Sequence, residues 1–183
     1  MQSCARRGIG YDSILKRYPD HTMALVLALM RHKDYDSCRN GIWDIKVYIV
    51  DGYPAMRRIS TQTLGIFGFG KIAKLVAKKA RGFGFRIIAT DPYVSQKEAD
   101  EYGVELVDFD TVLRESDIMT INMPLTAETK HKFNLETFKK MKKTAAVVNT
   151  GRGPLIKEDD LYVALKERII SAAAIDVTEE ARS

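Results

Sequence analysis

A chain of 183 residues, 45% hydrophobic and 29% charged, is long enough for one full domain plus an appendage, and its composition excludes disordered, collagenous and disulfide-dense classes. The net charge of +5 comes from scattered lysines and a cluster on one helix face (Lys139, Lys140, Lys142, Lys143), so a solvated face explains it and no nucleic-acid partner is expected. Cys4 and Cys38 have no metal-ligand spacing, which points away from a metal site and towards reduced thiols in a cytoplasmic protein, and the apolar run 23–30 is too short to cross a bilayer.

Residues 1–20 are basic and irregular, with no core pattern. His21–Cys38 reads as a helix that Ala24, Leu25, Leu27, Ala28 and Leu29 make apolar nearly all round. Such a helix needs cover on more than one face, and in a chain this short a second subunit is the expected cover. Residues 40–60 read as a linker anchored by Trp43 and Tyr53.

Residues 64–91 form the unit that organises the rest. Leu64–Phe69 is a short apolar strand broken by Gly68 and Gly70. From Lys71 the apolar residues Ile72, Leu75, Val76 and Ala80 recur at three and four, which is a helix, until Gly82 and Gly84 stop it. Phe85–Ala89 is a second strand, and Asp91 closes the unit. This is the pattern of a dinucleotide site. A helix N-terminus offers unpaired N–H groups to a pyrophosphate, Gly68 permits the tight turn, and Gly70 lets the backbone approach the phosphates. Ala73 is small enough for helix to lie on strand. Asp91, 21 residues past Gly70, stands where an acid accepts from the adenosine ribose hydroxyls. A carboxylate there repels a 2′-phosphate, which favours NAD over NADP.

Further along, Gln96–Tyr102 suits a helix, Val104–Val107 a strand, and Asp110–Glu115 a helix capped by Asp110. Asp117–Asn122 reads as a strand, Asn134–Met141 as a helix, Ala145–Asn149 as a strand, Glu158–Glu167 as a helix and Ser171–Val177 as a strand. About six strands alternate with helices, the content of a Rossmann-type, doubly wound parallel α/β sheet. Ligands of such sheets bind at the strands' carboxyl ends, which singles out Met123 and Pro124, the segment Asn149–Thr150–Gly151–Arg152, and Asp176. Taken alone, Asn149 could be a loop residue and Asp176 a turn cap. Arg152, between two glycines, is suited to grip a carboxylate bidentately.

Several stretches together resemble the D-isomer-specific 2-hydroxyacid dehydrogenases, in particular the phosphoglycerate-dehydrogenase and C-terminal-binding-protein-like members. They are QTLGIFGFGKIA, DPY at 91–93, MPLTAETKH at 123–131, NTGRGPLI at 149–156 and AAAIDVTEE at 172–180, with GIGYD, DHTMALVLALM and GIWDIK upstream. The resemblance implies NAD as cofactor and hydride transfer between it and a small 2-hydroxy or 2-keto acid. It places Lys71 and Ile72 against the pyrophosphate through their backbone, Asp91 on the adenosine ribose, and Met123 and Pro124 by the adenine or the ribose bridge. It places Thr150 near the nicotinamide ribose, Asp176 at the carboxamide, and Arg152 on the substrate as the catalytic arginine. It also implies that the helix from His21 dimerises.

The chain departs from the family pattern in two places. The glutamate that should support the proton-transferring histidine falls at Ala181, and that histidine would lie beyond Ser183. His21, His32 and His131 match no catalytic position. Near the front, GIGYD runs into LKRYPDH where the family has a strand and linker, which reads as an internal deletion. The expected division is therefore a substrate-domain remnant over 1–20, a dimerisation helix and linker over 21–60, and an NAD-binding domain over 61–183. Turnover by this chain alone is expected to be weak or absent, the alternative being a non-catalytic NAD-binding or dimerising module.

Overall fold

The computed structural model describes residues 17–30 and 58–179. Six strands form one sheet: β1 (Thr63–Phe67), β2 (Arg86–Thr90), β3 (Glu105–Leu106), β4 (Ile118–Ile121), β5 (Ala146–Asn149) and β6 (Ala172–Ile175). Their order is β3-β2-β1-β4-β5-β6, and every pairing is parallel. The order reverses beside β1, so the clefts at the ends of β1 and β4 form the topological switch point of a doubly wound sheet.

Strand periodicity decides which layer each side chain joins. Leu64, Ile66, Ile87, Ala89, Ile118 and Val148 pack on one face with α2 (Lys71–Arg81) and α3 (Gln96–Asp100). Phe67, Ile88, Met119, Ile121 and Val147 pack on the other with α4 (Phe109–Glu115), α5 (Leu135–Lys139) and α6 (Glu158–Lys166). Both faces are covered, which is why the central strands read as continuous apolar runs. Gly65 is required by the second layer: a Cβ there would sit 1.9 Å from Ser116 Oγ and 2.8 Å from Val112 Cγ1.

The strands and helices expected between residues 64 and 177 are all present, with ends shifted by no more than two residues. The cap of α4 is a correction. Asp108 caps it, its carboxylate accepting from Thr111 N–H at 2.9 Å, while Asp110 lies inside the helix and pairs with Lys140. An N-cap must precede the helix with extended backbone, and Asp108 (φ −67°, ψ 162°) has it. The lysine cluster is largely paired: Lys139 with Glu136, Lys140 with Asp110, Lys142 with Asp117.

The helix expected from His21 to Cys38 is described over 17–30, here α1; its residues beyond 30 lie outside the described residues, as do those of the expected linker up to 57. Residues 17–20, expected to be irregular, are helical, with Pro19 buried within that stretch. The cover expected from a second subunit comes partly from the chain itself. Thr22, Met23 and Val26 are buried, the two apolar ones in the layer that holds α2, and Asp20 pairs with Lys79 of α2 at 2.7 Å. Leu25, Leu27, Leu29 and Met30 are half-buried, and Ala24 and Ala28 are exposed. Among the described residues no helix is long and apolar enough to cross a membrane.

Candidate functional site

The carboxyl ends of β1, β2, β4, β5 and β6 gather the residues singled out in the sequence. Gly68 follows β1 with φ +82°, a conformation that L side chains rarely adopt, and its N–H donates to Thr90 O at 3.0 Å. A Cβ there would meet Met123 backbone atoms at 2.7 Å, so the turn is also pressed against the chain leaving β4.

Gly70 differs. It caps α2 with φ −78° and ψ −169°, which any residue can adopt, and a Cβ would meet nothing within 4 Å. Neither the turn nor the packing demands glycine here; what the missing side chain leaves is open space before a helix N-terminus. That N-terminus has no side-chain cap and no acidic residue in its first turn, so the N–H groups of Lys71, Ile72 and Ala73 face this space with the positive end of the helix dipole. These residues fit a pyrophosphate.

Asp91, just past β2, holds the glycine turn from the other side. Its Oδ2 accepts from Phe69 N–H at 2.7 Å and its Oδ1 from Tyr93 N–H at 2.9 Å. A carboxylate has about four acceptor positions, so two remain for a pair of ribose hydroxyls. The nearby Lys74 is bonded to Glu98, which holds its ammonium pKa above the ordinary value.

Across the switch point, Met123 is half-buried and Pro124 exposed at the end of β4. At the end of β5 the fully buried Asn149 shapes the next three residues: its Oδ1 accepts from Gly151 N–H at 3.1 Å and its Nδ2 donates to Arg152 O at 3.0 Å. Gly151 is confined, since a Cβ would lie 3.0 Å from Ile121 O. Arg152 is exposed, and among the described residues its guanidinium bonds to Gly151 O at 2.8 Å. The loop is pinned by the chain leaving β6, which crosses Gly153 so closely that a Cβ would fall 2.1 Å from the Thr178 carbonyl.

Thr150 is buried and its Oγ1 lies 2.9 Å from Thr22 Oγ1 of α1. Asp176, exposed at the end of β6, pairs with His21 Nε2 at 3.1 Å. His131 pairs with Glu179 at 2.8 Å; that hydrogen bond, with Lys130 close by, holds the Glu179 carboxyl below its ordinary value. Sequence reasoning treated Asn149 as a possible loop residue and did not find the partnerships of Thr22, His21 and Glu179. The Asn-x-Gly-Arg spacing was the one available signal, an asparagine able to bond to its own backbone two residues on. Ala181 lies outside the described residues.

An all-parallel sheet with a glycine turn, an uncapped helix and an acid at its switch point defines a Rossmann-type dinucleotide-binding domain. The model of the D-isomer specific 2-hydroxyacid dehydrogenase NAD-binding domain matches residues 23–183, and the chain belongs to that family. It is 42% identical over 162 residues to D-3-phosphoglycerate dehydrogenase of Methanocaldococcus jannaschii, an alignment covering 87% of this chain and 30% of that one. It is 40% identical over 166 residues to glyoxylate reductase of Thermococcus litoralis, covering 88% of this chain and 50% of that one. The NAD complex of a D-isomer specific 2-hydroxyacid dehydrogenase from Lactobacillus delbrueckii ssp. bulgaricus superposes with a TM-score of 0.77 at 27% identity, over 90% of this chain and 48% of that one. The chain thus spans about a third to a half of the length of these relatives.

Proposed function

We propose that this chain binds NAD along the carboxyl edge of its sheet and serves hydride transfer between NAD and a small 2-hydroxy or 2-keto acid. The observation that carries the proposal is Gly70: a side chain would fit the protein there, and only the space before α2 requires its absence. Gly68, Gly70, Lys71 and Ile72 receive the pyrophosphate through backbone N–H groups. Asp91 accepts the adenosine ribose hydroxyls and repels a 2′-phosphate, and Lys74, tied to Glu98, offers that phosphate no unpaired cation. Met123 and Pro124 flank the adenine side. Thr150 and Gly151 line the nicotinamide ribose side, and Asp176 meets the carboxamide.

Bound NAD supplies the site that accepts or gives the hydride. Arg152 binds the substrate carboxylate bidentately and polarises the neighbouring carbonyl, a task for which a planar, permanently charged guanidinium is suited. The half-exposed apolar residues of α1 support a homodimer through that helix. The division at residues 20 and 60 also belongs to this proposal.

Binding is read by exciting Trp43, the single tryptophan, and following transfer to NADH. Glyoxylate, hydroxypyruvate and pyruvate are then added and NADH absorbance followed. Saturable transfer supports the cofactor site, and its absence at millimolar NADH refutes it. Absorbance loss that disappears in Arg152→Ala supports the reaction; loss unchanged in that variant refutes the role of Arg152.

A further inference from the structure

Two consecutive residues of α1 reach the ends of two neighbouring strands. Thr22 meets Thr150 after β5, and His21 meets Asp176 after β6. The first contact has a direction that chemistry fixes. A threonine hydroxyl has one proton to donate. Thr22 Oγ1 donates its proton to Tyr18 O at 2.9 Å, so the proton between the two hydroxyls is that of Thr150. The chain of bonds runs Thr150 O–H to Thr22 Oγ1, then Thr22 O–H to Tyr18 O. Thr150 Oγ1 is left with lone pairs only, and its rotor is locked in a buried place. It can accept a hydrogen bond from a hydroxyl and cannot donate one.

The second contact is fixed in the same way. An ionised carboxylate only accepts, so the ring nitrogen of His21 facing Asp176 carries the hydrogen. One oxygen of Asp176 is held and the other remains to accept from an N–H group.

We propose that α1 is a positioning element for the nicotinamide half of the cofactor: Thr22 makes Thr150 an acceptor for a ribose hydroxyl, and His21 aims Asp176 at the carboxamide N–H. This rests on the NAD-binding reading above and adds two residues to it, neither of which touches the ligand. The adenosine half, built from Gly68, Gly70 and Asp91, is held by its own bonds, Asp91 accepting from Phe69 N–H and Tyr93 N–H, and should not respond to these two residues.

Three ligands separate the halves. ADP carries the adenosine and the diphosphate, ADP-ribose adds the second ribose, and NAD adds the nicotinamide. Their dissociation constants are measured by calorimetry on the full chain. Thr22→Val keeps the shape and removes the hydroxyl; it should weaken ADP-ribose and NAD about three- to tenfold, the worth of one hydrogen bond, and leave ADP unchanged. Thr22→Ser keeps the hydroxyl and should restore both. His21→Ala should weaken NAD and leave ADP-ribose and ADP unchanged; His21 is half exposed, so this variant does not disturb the core and serves should Thr22→Val fail to fold. Lys79→Gln, which removes only the exposed Asp20–Lys79 ion pair and leaves the buried contacts of α1 in place, should change none of the three.

Equal loss across all three ligands would show a merely structural role and overturn the proposal, as would unchanged affinities in both Thr22→Val and His21→Ala. A parent chain that binds ADP but gains nothing from the added groups overturns the proposal and leaves the adenosine half standing. A parent chain that binds none of the three overturns the NAD-binding reading itself.

Discussion

Gly68 and Gly70 stand two residues apart in one motif and differ in what constrains them: Gly68 is held by its backbone angle and by Met123, while Gly70 faces open space, a difference that substitution can separate. Gly68→Ala places a side chain at φ +82°, where the left-handed backbone costs about 1–2 kcal/mol. Its Cβ would also sit 2.7 Å from the Met123 backbone, an overpacking that costs about 1–3 kcal/mol more. A domain of this size loses about 2–4 °C of melting temperature per kcal/mol, so Gly68→Ala should melt about 4–20 °C below the parent. Gly70→Ala meets no atom within 4 Å at an unstrained φ of −78°. Alanine is a poorer N-cap than glycine by up to about 1 kcal/mol, and the stiffer unfolded chain returns about 0.4–1 kcal/mol, so its melting temperature should move by no more than about 2 °C. Cofactor reverses the ranking of harm. At a hundredfold excess over the dissociation constant, NADH should stabilise the parent by about 2.7 kcal/mol, a rise of about 5–10 °C. In Gly70→Ala the methyl group occupies the space before α2, and most of that rise should vanish. The assay is differential scanning fluorimetry with and without NADH. A Gly70→Ala chain that keeps the full ligand shift, or that is as damaged in the apo form as Gly68→Ala, would refute the assignment.

Other substitutions test other parts of the site. Asp91→Asn should weaken NADH about 10- to 100-fold, as expected for lost charge-assisted hydrogen bonds, and narrow the gap to NADPH; calorimetry with both cofactors reads this, and an unchanged ratio contradicts the ribose role. Arg152→Ala should leave NADH affinity within about threefold while weakening oxamate binding to the NADH complex about 10- to 100-fold, read by quenching of bound NADH fluorescence. Gly153→Ala should fold poorly, because a Cβ would lie 2.1 Å from the Thr178 carbonyl, and circular dichroism on heating would show it. Asp160 ties α6 to α5: Leu135 N–H donates to its Oδ2 at 2.9 Å and Lys157 lies 3.0 Å from its Oδ1, and these hold its carboxyl below the ordinary 3.8. A depressed carboxylate stabilises the folded chain above its unfolded value, and that contribution disappears as pH falls through the lower folded value. Asp160→Asn should therefore lower stability at neutral pH and narrow the gap to the parent below about pH 4; a gap independent of pH would contradict this.

The part of the fold most legible in the sequence was the unit from β1 to Asp91, because every residue type there answers a local demand. Apolar pairs build strands, lysines mark the solvent face of α2, and Gly68 answers a backbone dihedral. The remaining strands were legible as apolar runs since both faces of the sheet are covered, although β3, at the edge, is only two residues long. Asp108 and Asp110 are chemically alike and two residues apart, so composition could not choose between them; the backbone angle at the helix entrance did. What could not be read were pairings between segments distant in the chain. Thr22 and Thr150 stand 128 residues apart, and His131 and Glu179 stand 48 apart. Neither pair has a periodicity, since each depends on how α1 and the segment after β6 settle on the sheet. The apolar ring of α1 shows in the sequence that the helix needs cover on more than one face, but not that the layer holding α2 supplies part of it.

Calorimetric titration of the full chain with NADH and, in parallel, NADPH tests most directly whether the amide groups at the start of α2 and the carboxylate of Asp91 together hold NAD. Saturable binding of NADH with one site per chain, and NADPH at least tenfold weaker, is the expected result. No heat from NADH at millimolar concentration, or equal affinity for the two, would contradict the account.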